Sequence, residues 1–216
     1  MVFNILAIVI GYLLGSVPTA YILTRLVTGK DIRTLGGGNV GGLNVYREVG
    51  LLPAFLVGLL DLAKGAAAVA IAHWLLEVSL PFVLAAALAA VAGHNWMLFL
   101  KFTGGKGMAS AIGALAVLFP AYDYPLGLAI FLGIICAGIA ITRNVALSMA
   151  FSLVAFPFIA WLGMHSLLFV IFSLVLALII LIKFFPTARL AISRSGNLKD
   201  FIFDRWQHEH RRSNDG

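Results

Sequence analysis

Seven apolar stretches follow one another along the chain, and only short polar connections part them. They cover roughly 2–24, 51–76, 79–100, 107–120, 125–141, 144–162 and 166–185. A bilayer core of about 30 Å takes about 20 apolar residues of helix to cross, and most of these stretches meet that length. The fourth is short, and only the turn from Lys101 to Lys106 parts it from the third, so it reads as a tilted or incomplete span. Pro81, Pro120, Pro125 and Pro186 mark joints between helices. The pattern predicts an all-α polytopic membrane protein, a seven-helix bundle. It forms one transmembrane domain over 1–190, followed by a polar, basic tail over 191–216.

Composition agrees: of 216 residues, 62% are hydrophobic and 11% charged, which is the polytopic membrane class. The net charge of +6 raises nucleic acid as a partner, but the basic residues flank apolar spans and are better explained by membrane orientation. Fourteen of the 15 Lys and Arg fall in the odd-numbered connections or from Lys183 onward, and the exception is Lys64, inside the second span. The other connections carry Glu77, Asp123 and His165. Basic loops stay cytoplasmic, so the N-terminus is expected outside and the C-terminus inside. The first span lacks the basic leader of a cleavable signal peptide. Cys136 reads as a small packing residue. Gly11, Gly15 and the small residues of 85–93 allow close helix approach, and no inverted repeat of the transporter kind is visible.

Candidate chemistry collects in the cytoplasmic connections. From Gly36 to Gly42, five of seven residues are glycine. Without Cβ atoms the backbone N–H groups of such a run can turn inward and cradle an anion. Asn39, Asn44 and Arg47 follow, able to hydrogen-bond carbonyls or hydroxyls and to hold a phosphate bidentately. A second cluster, Gly104-Gly105-Lys106-Gly107, opens the fourth span, where a helix N-terminus favours anions. It lacks P-loop spacing, and by itself is equally read as a tight turn with a basic anchor. Asp61 and Lys64, three apart, share a helix face at membrane depth, either as an internal ion pair or as part of a site. His94 lies beside the second cluster and suits acid–base chemistry or a phosphate contact. Trp96 reads as an interfacial anchor, His73 and His165 as span-end residues, and His208 and His210 as solvated. No cluster has metal-ligand spacing, so neither metal nor cofactor is expected. No serine or cysteine sits beside a base, which argues against a covalent acyl-enzyme.

Three stretches resemble the PlsY family of bacterial membrane acyltransferases: Tyr12 to Pro18 running on through Asp31 and Arg33 to Arg47, Asp61 to Gly65, and Gly93-His94 to Gly107. The resemblance spans about the first 115 residues, with Arg143-Asn144-Val145 a weak echo of a further motif. It implies a seven-helix fold in the bacterial inner membrane and transfer of an acyl group from acyl phosphate to the 1-hydroxyl of glycerol 3-phosphate. Membrane lipids are the remaining partner. Carried over to this chain, it assigns Gly36, Gly38, Asn39, Gly41, Asn44 and Arg47 to substrate anion and acyl-carbonyl contacts. It assigns Lys64 and Lys106 to the phosphates and Gly104 and Gly105 to backbone donation, while His94 contacts a phosphate or orients the acceptor. Gly37 and Leu43 stand where the family usually has hydroxyl residues, Met97 where it has proline, and Lys183 to Arg189 where it has a polar segment. The competing reading is a diverged binding protein or transporter for a phosphorylated anion. A transporter would need polar groups along a path through the bilayer, and only Asp61 and Lys64 suggest one.

Overall fold

The computed structural model describes residues 1–194, with side chains as far as Pro186 and at Arg189. The expected tail from residue 195 on, His208 and His210 included, lies outside the described residues. All regular elements among the described residues are helical. Six stretches are long and apolar enough to cross a membrane: Val2–Thr28, Leu51–Leu75, Leu80–Leu100, Pro125–Thr142, Val145–Met164 and Leu167–Pro186. Met108–Ala121 is a shorter apolar helix. The chain divides into two compact units, Met1–Asp123 and Tyr124–Gly216.

In the first unit the expected single helix over 2–24 is two helices, α1 (Val2–Ser16) and α2 (Thr19–Thr28). The cause is Pro18. Its ring disfavours helical geometry at the residue before it, and Val17 is extended at φ −59°, ψ 118°. Gly29, left-handed at φ 71°, ends α2. A helix of seven residues that the hydropathy pattern did not predict, α3 (Gly42–Glu48), follows the glycine loop. Next come α4 (Leu51–Ala70), which runs into a π-turn at Ile71–Leu75, then α5 (Leu80–Asn95) and α6 (Met108–Ala121).

Helix α1 packs on α5, and α4 packs on α6 and α3. Both main contacts rest on glycine. A Cβ at Gly11 would lie 2.5 Å from the Ala86 carbonyl of α5, and Gly15 meets Ala90 in the same way. Gly93 faces the backbone of Tyr12 and Ser16 in return. Between α4 and α6, Gly65 faces Ser110 while Gly113 faces Leu62. Backbones approach this closely only where side chains are absent, and in lipid such packing replaces the hydrophobic drive.

The second unit holds α7 (Pro125–Thr142), α8 (Val145–Met164) and α9 (Leu167–Arg194). The turn between α7 and α8 places Arg143 at φ 55°, and the Asn144 side chain caps α8 through the Leu147 N–H at 3.1 Å. Phe131, Phe156 and Phe172 stack edge to face through its interior, at 5.5 and 5.9 Å between centroids.

Gly113→Ala should lower the thermal unfolding temperature in detergent, because its methyl would meet the backbone of Leu62 and neither helix can yield locally. The expected cost is about 1–3 kcal/mol. Gly58→Ala, with open space around the added methyl, should leave that temperature unchanged or slightly raised.

Candidate functional site

The site is built where the first unit's helices end. After α2 the chain makes a short 3-10 turn, Ile32–Thr34, which Asp31 caps by accepting the Arg33 N–H at 3.0 Å. The Arg33 guanidinium also grips the Asp31 carboxylate, its Nη2 2.6 Å from Oδ2. That hydrogen bond holds the Asp31 carboxyl below its ordinary range. The glycine run then bends through left-handed Gly36 (φ 52°) and Gly38 (φ 69°), a geometry that side chains resist.

Asn44, the third residue of α3, turns back into this loop. It is buried, its amide donates to the Leu35 carbonyl at 3.1 Å, and its Oδ1 accepts from the Gly37 N–H at 3.4 Å. Asn44 therefore shapes the loop from beneath. A Cβ on Gly36 would meet the Glu48 carboxylate at 2.5 Å and Asn44 Oδ1 at 2.7 Å. Glu48 is thus a neighbour of the loop that sequence reasoning missed. Asn39 is half-buried, its amide close to Gly41, which precedes the first turn of α3. Gly37 borders open space.

The second cluster lies against the end of α5. Past Asn95 the chain passes through a 3-10 turn at Leu98–Leu100 and left-handed Lys101 and Phe102. The Tyr12 hydroxyl of α1 donates to the Trp96 carbonyl at 2.7 Å and fixes where this segment leaves the helix. Gly105 N–H then donates back to the His94 carbonyl at 3.0 Å. Gly104 and Gly105 are buried. A Cβ on Gly105 would run into His94 Nε2 and would lie 2.6 Å from the Val40 carbonyl. The two glycine clusters, about sixty residues apart in sequence, therefore meet through Val40 and Gly105, with the His94 ring behind them.

Lys106, half-buried, and Arg47, exposed, bring two positive charges to the same place. Burial first, and then the Arg47 guanidinium, lower the Lys106 ammonium to about 8. A lysine perturbed by burial beside a second cation, next to glycine backbone, marks a functional candidate.

Beneath the glycines lies a buried charge centre. Asp61 Oδ1 accepts from the Thr19 hydroxyl at 2.6 Å, pairs with Lys64 Nζ at 2.9 Å and lies 3.5 Å from His94 Nδ1. Lys64 also donates to the Val17 carbonyl at 3.3 Å, at the α1–α2 break that Pro18 creates. All four side chains are buried. The spacing of Asp61 and Lys64 put them on one helix face and left open whether they pair or join a site, and in the structure they pair. Nothing in the spacing foretold that Thr19 and His94 would join them. No group of three or more His, Cys, Asp or Glu that could hold a metal ion occurs among the described residues.

Comparison with known proteins gives consistent matches. The family model described as glycerol-3-phosphate acyltransferase matches residues 5–192. Glycerol-3-phosphate acyltransferase 1 of Dehalococcoides mccartyi is 44% identical over 208 residues, covering 96% of this chain and 100% of that protein. The glycerol-3-phosphate acyltransferase of Synechococcus sp. is 44% identical over 170 residues, 79% of this chain and 80% of that one. Among solved structures, PlsY (YgiH), an integral membrane glycerol 3-phosphate acyltransferase, aligns in its glycerol 3-phosphate form at TM-score 0.76. The identity is 26%, and 90% of this chain and 95% of that chain are covered. Its lysophosphatidic acid form aligns at TM-score 0.73 and 25% identity, over 90% and 94%.

Gly105→Ala should weaken binding of inorganic phosphate at least about tenfold by calorimetry in detergent, since its methyl displaces the His94 ring and pushes the clusters apart. Gly37→Ala should bind phosphate as the parent does, because its methyl meets nothing.

Proposed function

Because the chain belongs to the glycerol-3-phosphate acyltransferase family, we propose that it transfers an acyl group from acyl phosphate to the 1-hydroxyl of glycerol 3-phosphate. The products are lysophosphatidic acid and inorganic phosphate. The protein is an integral, multi-pass membrane acyltransferase. On this reading it sits in the bacterial inner membrane with its basic connections, and hence its site, on the cytoplasmic face.

The carrying observation is the meeting of the two glycine clusters at Val40 and Gly105, beside Lys106 and Arg47. Both substrates bear phosphate, and the reaction requires them side by side. Lys106 and Arg47 neutralise phosphate oxygens, with the Gly104 and Gly105 backbone donating to one substrate and Gly36, Gly38 and Gly41 to the other. Asn39 hydrogen-bonds the acyl carbonyl as charge develops on its oxygen. Asn44 holds the first loop in shape. His94 and Lys64 act from beneath the second cluster.

Acyl phosphate is an activated mixed anhydride, so orientation and charge stabilisation suffice for rate. The glycerol oxygen attacks the carbonyl carbon and the bond from that carbon to the phosphate oxygen breaks. The hydroxyl proton passes to the departing phosphate, and no covalent enzyme intermediate forms. A transport reading loses its main support, because the mid-span pair Asp61 and Lys64 is buried and satisfied by internal partners.

The direct experiment follows phosphate release from palmitoyl phosphate by the purified protein, with and without glycerol 3-phosphate. Acceptor-dependent release with lysophosphatidic acid formed is the expected result. Release that ignores the acceptor, or none from folded protein, would overturn the proposal. Lys106→Ala and Arg47→Ala should each lower kcat/KM about 10–100-fold or more, the worth of a charge-assisted hydrogen bond, while remaining folded in the membrane. Lys106 must be charged to hold phosphate, and its ammonium titrates near 8 in the free protein. kcat/KM should therefore hold below pH 7 to 8 and fall above it, as the proton is lost. Lys106→Arg should keep measurable activity and lose that basic limb, since a guanidinium stays charged throughout.

A further inference from the structure

The buried centre under the second glycine cluster has a job that the acyl-transfer reading alone does not assign. Asp61 Oδ1 is met from three helices: it accepts from Thr19 of α2, pairs with Lys64 of α4 and lies 3.5 Å from His94 Nδ1 of α5. The ion pair with Lys64 already balances the carboxylate charge. What remains is the edge of the imidazole that faces it. A bare ring nitrogen 3.5 Å from a carboxylate would set lone pair against negative charge, so the neighbouring carboxylate favours the tautomer with its proton on Nδ1. The opposite edge of the ring, Nε2, bears on Gly105, and the His94 carbonyl accepts the Gly105 N–H. The imidazole is 3% exposed, so it reaches the site through this glycine.

We propose that Asp61 is a positioning residue for the phosphate-binding turn: its carboxylate, 3.5 Å from Nδ1, favours the His94 tautomer with its proton on that edge and so fixes the ring whose far edge abuts Gly105. The inference rests on the acyl-transfer reading for its kinetic consequence and on geometry for its structural one. A well-placed turn favours phosphate binding, so losing this support should raise KM for glycerol 3-phosphate more than it lowers kcat. Thr19 and Lys64 tether the carboxylate, and at the Pro18 break the Val17 carbonyl accepts from Lys64 and from the Thr19 N–H.

Removing Asp61 alone would strand Lys64 in the interior and risk unfolding. The comparison is therefore between two charge-neutral double variants of the full chain, Asp61→Asn/Lys64→Met and Asp61→Leu/Lys64→Met. Both lack Lys64, and they differ in whether an acceptor faces His94. With 15N-labelled histidine, NMR reads the protonation of each ring nitrogen, and the His94 signals are those that vanish in His94→Gln. The Asn pair should keep Nδ1 protonated as the parent does, whereas the Leu pair should show a mixture of tautomers. KM for glycerol 3-phosphate should be at least about tenfold higher in the Leu pair than in the Asn pair, with kcat within about threefold. Identical ring protonation in the two pairs overturns the proposal, and so does identical KM. Should the parent protein show no acyl transfer, the acyl-transfer reading is what fails. The ring protonation and the calorimetric affinity for inorganic phosphate, compared between the same two pairs, then decide the positioning role by the same criterion.

Discussion

One carboxylate oxygen organises the first unit. Asp61 sits ten residues into α4, where an ionised group is expensive unless it is paired and hydrogen-bonded. Its partners come from outside its own helix except for Lys64, so satisfying it brings α2 and α5 to α4. The break at Pro18 belongs to the same arrangement. A continuous helix would have engaged the Val17 carbonyl in its own ladder, whereas at the break it accepts from both the Thr19 N–H and Lys64. The backbone approaches at Gly15, Gly65 and Gly93 let these helices come close enough for short polar side chains to meet.

The candidate site inherits its form from this centre. The end of α5 carries His94, and the Gly105 N–H closes back onto the His94 carbonyl. The second cluster is thereby fixed relative to the buried charges, and the first is fixed by Asn44 from beneath. Glycine has two separate uses here. Gly36 and Gly38 provide left-handed turns, whereas Gly104 and Gly105 provide room against His94, Asn95 and Val40.

Much of this was legible beforehand. Hydropathy located the long helices because lipid demands apolar length, and helical spacing put Asp61 and Lys64 on one face. Glycine runs beside basic residues pointed to an anion site. The misses have equally physical causes. The apolar character of Val17 and its neighbours hid the break that Pro18 makes. Helix α3 spans seven residues behind a glycine loop, too few to leave a periodic signal. Asn44 was read as facing substrate, whereas its amide is held by the Leu35 carbonyl, a backbone partner that composition does not reveal. The meeting of Thr19, Asp61 and His94 is a contact between helices, and only tertiary packing creates it.

The depth of the centre has a consequence for the lipid substrate. Asp61 lies about 15 Å along α4 from its start at Leu51, and the residues above it, Leu51, Leu52 and Phe55, are exposed and apolar. Such side chains favour hydrocarbon, so on the proposed reading the helix that carries Asp61 offers an acyl chain an apolar flank. In the proposed reaction the fatty chain therefore stays in hydrocarbon while the water-soluble partner comes to it. Lifting a sixteen-carbon chain into water would cost more than about 10 kcal/mol at roughly 0.8 kcal/mol per methylene. A site beside such a flank avoids that extraction for donor and product alike, so both can enter and leave sideways without crossing an aqueous phase.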